Sequence, residues 1–172
     1  KWSNDDFVRA MTQGISPEDL HYFPVFPYTS FHKMKRKDLL DLKAYLFSIP
    51  PIKQKNIPNE LILPFGEQYV LMLWKNIFWS PQPFKSNPDN TESWNRGAYI
   101  AQALAHCGEC HTPRNIFGGI KIASYLAGTR RSGNMEQIPN ITPDMKTGIG
   151  KWSSENLVDL LKFGLLPDGV DK

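Results

Sequence analysis

The sequence predicts an all-α, loop-rich protein made of two partial repeats in tandem, on three observations. Apolar residues recur at helical spacing in several segments, and no βαβ alternation is present. Prolines and glycines break the chain between those segments, most densely over 51–91. The two ends also repeat each other: Lys1-Trp2-Ser3 returns as Lys151-Trp152-Ser153, an offset of 150, followed by Val8 and Val158, Gly14 and Gly164, Pro17 and Pro167. At that offset Phe7, Ala10 and Met11 fall on Leu157, Leu160 and Leu161, an i, i+3, i+4 stripe after a serine N-cap with a glycine at its end. Coincidence between two amphipathic helices is the competing explanation, but amphipathicity does not demand the shared lead-in or the glycine and proline offsets.

The elements follow in order. After the Trp2 helix comes a loop, His21-Tyr22-Phe23-Pro24-Val25-Phe26-Pro27-Tyr28, and then a helix from about Lys35 to Phe47. That helix carries Leu39, Leu42 and Leu46 on one face alongside Tyr45, and Pro50-Pro51 ends it. Residues 51–91 hold prolines 51, 58, 64, 81, 83 and 88 around one apolar segment, Tyr69–Trp74 and Ile77–Trp79, interrupted by Lys75-Asn76. This reads as a linker helix packed between domains, with a partner-docking surface as the alternative. A further helix should start at Asn90 or Thr91 and run to about His106, with Gly97, Ala101 and Ala105 forming a face small enough for another helix to approach. Beyond it lie Gly118-Gly119, Gly128, Gly133 and Pro139-Asn140-Ile141-Thr142-Pro143-Asp144, a stretch of loops. The organisation expected is therefore 1–50 as the close of one repeat, 51–91 as linker, and 92–172 as the opening of the next.

Composition excludes some classes. The 41% apolar content is ordinary for a globular fold of one or two small domains. A net charge of +3 is too mild to argue for nucleic acid or an anionic membrane surface. No apolar run reaches the roughly 20 residues of a membrane-spanning helix, and the first residues do not resemble a signal peptide.

Cys107-Gly108-Glu109-Cys110-His111 carries the chemistry. Two thiols spaced two apart with histidine directly behind form the attachment signature of c-type haem. A helical turn presents both sulfurs to one edge of the porphyrin, where they add to its vinyl groups, and His111 projects beneath the metal as proximal ligand. A dithiol of thioredoxin type or half a zinc site are the alternatives. Both are weakened because the chain has only 2 cysteines, no βαβ pattern and 4 histidines from which to recruit further ligands. His106 reads as a surface or rim histidine.

Around this motif, Trp94-x-Arg96-Gly97-Ala98-Tyr99, His106-Cys107-x-x-Cys110-His111-Thr112-Pro113-Arg114-Asn115, Pro139-Asn140-Ile141-Thr142-Pro143-Asp144 and Thr147-Gly148-Ile149-Gly150-x-Trp152-Ser153 resemble the multihaem cytochrome c subunits of bacterial membrane-bound dehydrogenases. Tyr22–Tyr28 and Asp41–Leu46 resemble the closing part of a preceding haem domain, so the likeness covers nearly the whole chain. It implies class I cytochrome c domains, three to five helices around a haem with one edge exposed. It also implies covalent haem c, with a second haem following from the repeat, and a membrane-bound or periplasmic dehydrogenase subunit as partner, with quinone or a terminal oxidase next in line. Because covalent attachment takes place outside the bacterial cytoplasm, the expected location is periplasmic, with an export signal or membrane anchor outside these residues.

Site residues follow from the same resemblance. Methionine is the usual sixth ligand, since a thioether favours ferrous iron. Of Met11, Met34, Met72, Met135 and Met145, Met34 stands before the closing helix and is the candidate for the first repeat's haem, a core methionine being the other reading. Its equivalent in the second repeat falls beyond Lys172. Arg114, Asn140, Thr142 and Trp152 are candidates for the haem propionates, as a bidentate fork and as neutral donors, against plain roles in turns or surface charge. In such domains a glycine of the first helix packs under an aromatic of the last; Gly97 and Tyr45 are of those types but fall in different repeats. A permuted single domain, with 1–50 completing 92–172 and Met34 serving the His111 iron, is the alternative arrangement.

An electron-transfer module is the leading function. A haem enzyme with an open or labile sixth position, peroxidase-like or thiosulfate-oxidising, is a second reading, and a sensor a third.

Overall fold

The structure, a computed structural model, describes residues 2–57, 61, 64–129 and 137–167. Lys1, Pro58, Gly133, Met135 and Lys172 lie outside them. The described residues form helices and loops without a strand: α1 (Asn4–Gln13), α2 (Tyr28–Phe31), α3 (Arg36–Ser48), α4 (Gln68–Phe78), α5 (Glu92–Tyr99), a π-turn at Ile100–Leu104, α6 (Cys107–His111), a short 3-10 turn at Ile122–Ser124 and α7 (Ser154–Phe163). The chain divides into two compact units, Lys1–Glu109 and Cys110–Lys172.

In the first unit, α1 starts on a capping box: Ser3 Oγ accepts from Asp6 N at 3.0 Å and the Asp6 carboxylate accepts from Ser3 N at 2.8 Å. It ends at Gly14, whose φ of +60° lets its N–H reach Ala10 O. Glycine is required twice over there, because a Cβ would stand 2.3 Å from Cδ1 of the wholly buried Tyr28. The stripe read from the sequence is the buried face: Phe7, Ala10 and Met11 are inside, and Phe7 and Met11 join Leu39 of α3 in the core. Val8, Phe26, Phe31, Met34 and Leu42 pack around that cluster.

Only the first turns of α3 are covered. Leu39 is buried, whereas Leu46 and Tyr45 of the expected apolar face are exposed. The start of α3 is tied to α5 through Tyr99, which accepts from Lys35 N at 2.8 Å and donates to Asp38 Oδ2.

The α4 segment corrects a second expectation. Lys75, read as interrupting an apolar helix, is one of its two buried residues, with Leu71. Its ammonium donates to Gln13 O at 2.7 Å, Gly14 O at 2.8 Å and His21 Nδ1 at 3.0 Å, and lies 4.5 Å from the Tyr28 ring centroid. Lys75 thus closes the carbonyl end of α1, where a cation is favoured. Burial lowers its pKa to about 8, and burial, then the nearby Lys75 charge, lowers that of His21.

The helix expected from Thr91 to His106 is broken. Thr91 caps α5 by accepting from Trp94 N, but the helix widens into the π-turn, closed by Ala105 N to Ile100 O at 2.8 Å, and His106 then takes φ +42°. Gly97 and Ala105 are exposed and Ala101 only half-buried, so no helix covers the small-residue face that the sequence suggested. A Cβ on Gly97 would meet nothing within 4 Å, and Tyr45 does not pack there; the Gly97–Tyr45 pairing needed by a permuted single domain is absent.

In the second unit, α7 has the same caps as α1: a Ser153–Asn156 capping box and Gly164 at φ +74°. Its apolar residues differ in outcome, since Val158, Leu161 and Phe163 are exposed.

Candidate functional site

Helix α6 contains Cys107, Cys110 and His111. A five-residue helix is one turn and a little more, so residues three apart lie on one side and both thiols face the same way. Both are free thiols. Among the described residues no three His, Cys, Asp or Glu side chains gather as a metal cluster would need.

The loops after α6 fix His111. Its Nδ1 lies 2.8 Å from Pro139 O. A carbonyl only accepts, so Nδ1 carries the proton and the other ring nitrogen keeps its lone pair for a metal. The same residue's backbone carbonyl accepts from Gly128 N at 2.7 Å. Gly128 has φ +81°, and a Cβ there would lie 2.7 Å from Ile138 O and Asn140 N and 2.8 Å from Pro139 C. Only glycine lets the chain pass this close to the carbonyl that orients the imidazole. Thr112, wholly buried, accepts from Leu126 N at 3.1 Å and holds the opposite side of that loop.

A cavity of about 720 Å³ opens in this unit, with Pro113, Gly128, Pro139, Asn140 and Thr147 in its wall. The residues fit a c-type haem on four counts: two unlinked thiols a turn apart, a histidine with one nitrogen committed to a backbone carbonyl, a glycine that clears the carbonyl, and a roomy neighbouring cavity. Metal-ligating histidines almost always donate the other ring N–H to a carboxylate, a backbone carbonyl or water, and Pro139 O fills that place for His111.

The 140–150 loop explains its own sequence. Asn140 Oδ1 accepts from Thr142 N at 2.8 Å and Thr142 Oγ1 at 2.7 Å, while its Nδ2 donates to Thr147 Oγ1 at 3.0 Å. Asp144 Oδ1 accepts from Lys146 N, Thr147 N and Thr147 Oγ1, and the Thr147 donors hold its carboxyl below the usual range. A Cβ on Gly148 would lie 2.2 Å from Thr142 O, and one on Gly150 2.3 Å from Pro143 O. The asparagine, aspartate and glycines of this motif therefore build the loop.

Of the propionate candidates, the structure brings Asn140 and Thr142 together, with Asn140 on the cavity wall. Arg114 Nη1 donates to Gly118 O at 2.8 Å across a neighbouring turn. Trp152 is half-buried, its backbone N–H donating to Ile149 O just before α7. Met34 packs against the Phe7, Met11 and Leu39 cluster of the first unit; Met11 is buried, and Met72 and Met145 are exposed. His106 is half-buried with its ring edge-on to Phe31 at 5.4 Å. Neither the Pro139 carbonyl nor the hydroxyls of Thr29 and Ser30 on Glu109 had a sequence signal, because both contacts join residues brought together over long separations.

No protein-family model matches the chain. Curated relatives do, over nearly its whole length. A protein named diheme cytochrome c-type from Cereibacter sphaeroides is 37% identical over 97% of this chain and 55% of its own length. The fructose dehydrogenase cytochrome subunit of Gluconobacter japonicus is 33% identical over 93% of this chain and 33% of itself, and the gluconate 2-dehydrogenase cytochrome c subunit of Pantoea cypripedii 30% identical over 95% and 39%. The chain spans about half the length of the first of these and less of the others. The resemblance read from the sequence is thus a homology to c-type cytochromes and cytochrome subunits of dehydrogenases, and covalently bound haem c is the cofactor that these relatives and the Cys107–His111 motif imply.

Proposed function

We propose that the chain is part of a periplasmic multihaem cytochrome c that accepts electrons from a dehydrogenase subunit and passes them towards quinone or a terminal oxidase. The observation that carries this reading is the His111–Pro139 hydrogen bond at the end of a C-x-x-C-H helix with unlinked thiols. Haem c, when bound, supplies one-electron chemistry at iron. The chain's own residues do the rest. Cys107 and Cys110 would anchor the ring and His111 would offer its unprotonated nitrogen to the metal, with the Pro139 carbonyl holding the imidazole aligned. Asn140, Thr142, Trp152 and Arg114 are assigned to the propionate side, and Met34 to the iron of the preceding haem.

The tandem arrangement is part of the proposal. It is supported by α1 and α7, which match at the 150 offset in length, capping box and left-handed glycine, and by a relative named diheme. On this reading 1–50 closes one class I cytochrome c domain, 51–91 links, and 92–172 opens the next. Membrane association would come through residues outside this chain; among the described residues no helix is long and apolar enough to cross a membrane.

Optical spectroscopy of the full-length holoprotein tests electron transfer against haem catalysis. Six-coordinate low-spin bands, indifferent to carbon monoxide and peroxide, are expected. Rapid ligand binding with peroxide turnover would favour the enzyme reading.

A further inference from the structure

We infer that Glu109, standing between the two haem-bonding cysteines, is a positioning residue that fixes a negative charge on the attachment helix and lowers the potential of the haem held there. This rests on the electron-transfer reading above. Glu109 Oε1 accepts from Thr29 Oγ1 at 2.5 Å and from Ser30 Oγ at 2.6 Å, so two consecutive residues of α2 grip one carboxylate oxygen. The two hydroxyl donors pin the carboxylate in place. Other contacts hold α2 on the same segment: Phe31 meets His106 edge-on, and Lys33 Nζ donates to Gln102 Oε1 at 3.3 Å.

The charge faces the interior of the first unit. Burial, and then the Glu109 charge, push the Tyr28 phenol above its ordinary range, and the same charge opposes the burial that lowers Lys33. An inward carboxylate is screened less than a solvated one. A fixed anion next in sequence to a thioether-linked cysteine favours the more positive ferric state, and net charge is among the levers that set such potentials. The Thr29–Ser30 grip is what keeps that charge in place.

Spectroelectrochemical titration of the full-length holocytochrome tests this with E109Q and T29A/S30A. Glu109→Gln keeps a carbonyl oxygen for both hydroxyls and removes only the charge; the potential of the Cys107/Cys110 haem is expected to shift positive. T29A/S30A leaves the charge but releases it to solvent, and a smaller shift of the same sign is expected. An unchanged potential in E109Q at wild-type haem loading overturns the inference, as does a loss of thermal stability without a shift. If E109Q fails to load haem, T29A/S30A decides alone, and an unchanged potential there overturns it. Wild-type protein without haem on Cys107 and Cys110 refutes the electron-transfer reading instead.

Discussion

Gly14 and Gly164 occupy the same place at the ends of two matched helices, with φ of +60° and +74°, but their surroundings differ. A Cβ at Gly14 would stand 2.3–2.6 Å from three ring atoms of Tyr28, whereas one at Gly164 meets nothing within 4 Å. Alanine at either position costs about 1–2 kcal/mol for a left-handed residue with a Cβ, partly offset by about 0.4–1 kcal/mol of lost unfolded-chain entropy. Gly164→Ala should therefore cost between about 0 and about 1.6 kcal/mol. Gly14→Ala adds the overpacking of a wholly buried ring that cannot swing away, about 1–3 kcal/mol more. Hydrogen exchange reads the two separately, at the Gly14 amide bonded to Ala10 O and the Gly164 amide bonded to Leu160 O. The expected acceleration in G14A exceeds that in G164A by about 5- to 150-fold at roughly 1.36 kcal/mol per tenfold. Equal acceleration would refute the argument, because it would mean that backbone conformation alone sets the cost and Tyr28 does not pack on Gly14.

Leu39→Ala removes a side chain with no exposed surface from the core of the first unit and should cost about 2–5 kcal/mol in urea unfolding, against less than about 0.5 kcal/mol for the exposed Leu161→Ala. Burial lowers the pKa of both His21 and His32 below 6.5, so the folded state resists protons that the unfolded chain accepts; the stability this contributes is present above pH 6.5 and lost as pH falls below it. Urea midpoints between pH 7.5 and about 5.5 should fall on that account, and an unaltered slope in H21Q/H32Q would contradict it. Gly128→Ala must displace the 138–140 backbone and with it the Pro139 carbonyl. Losing that acceptor makes the imidazole a weaker donor, so the potential of the haem on His111 should rise in a spectroelectrochemical titration, and an unchanged potential would contradict this.

How much of this was legible follows from the range of each interaction. The α1 stripe was legible because Phe7, Ala10 and Met11 are covered by nearby elements, and local periodicity reports such burial. The same stripe on α7 leaves Leu157 and Leu160 half-buried and Leu161 exposed, since nothing in a helix's own pattern says whether a partner is present. Lys75 misled in the other direction: a charged residue in an apolar run reads as an interruption, yet the open carbonyls of α1, 61 and 62 residues away, make it a buried cap. The π-turn after Tyr99 has no marker in Ile100-Ala101-Gln102-Ala103-Leu104, whose residues all suit an ordinary helix. At the site, Cys107, Cys110 and His111 announce themselves by spacing, and the Asn140–Gly150 loop by residue types that its turns require. The partner of His111, 28 residues on, is a backbone carbonyl and carries no side-chain signature.

The most direct test of the central claim is the mass of the peptide containing Cys107 and Cys110, taken from the full-length protein matured in a host that attaches haem outside the cytoplasm. The account predicts one haem-sized increment on that peptide with both thiols consumed and closed to alkylation. Two alkylatable cysteines and no increment would contradict it.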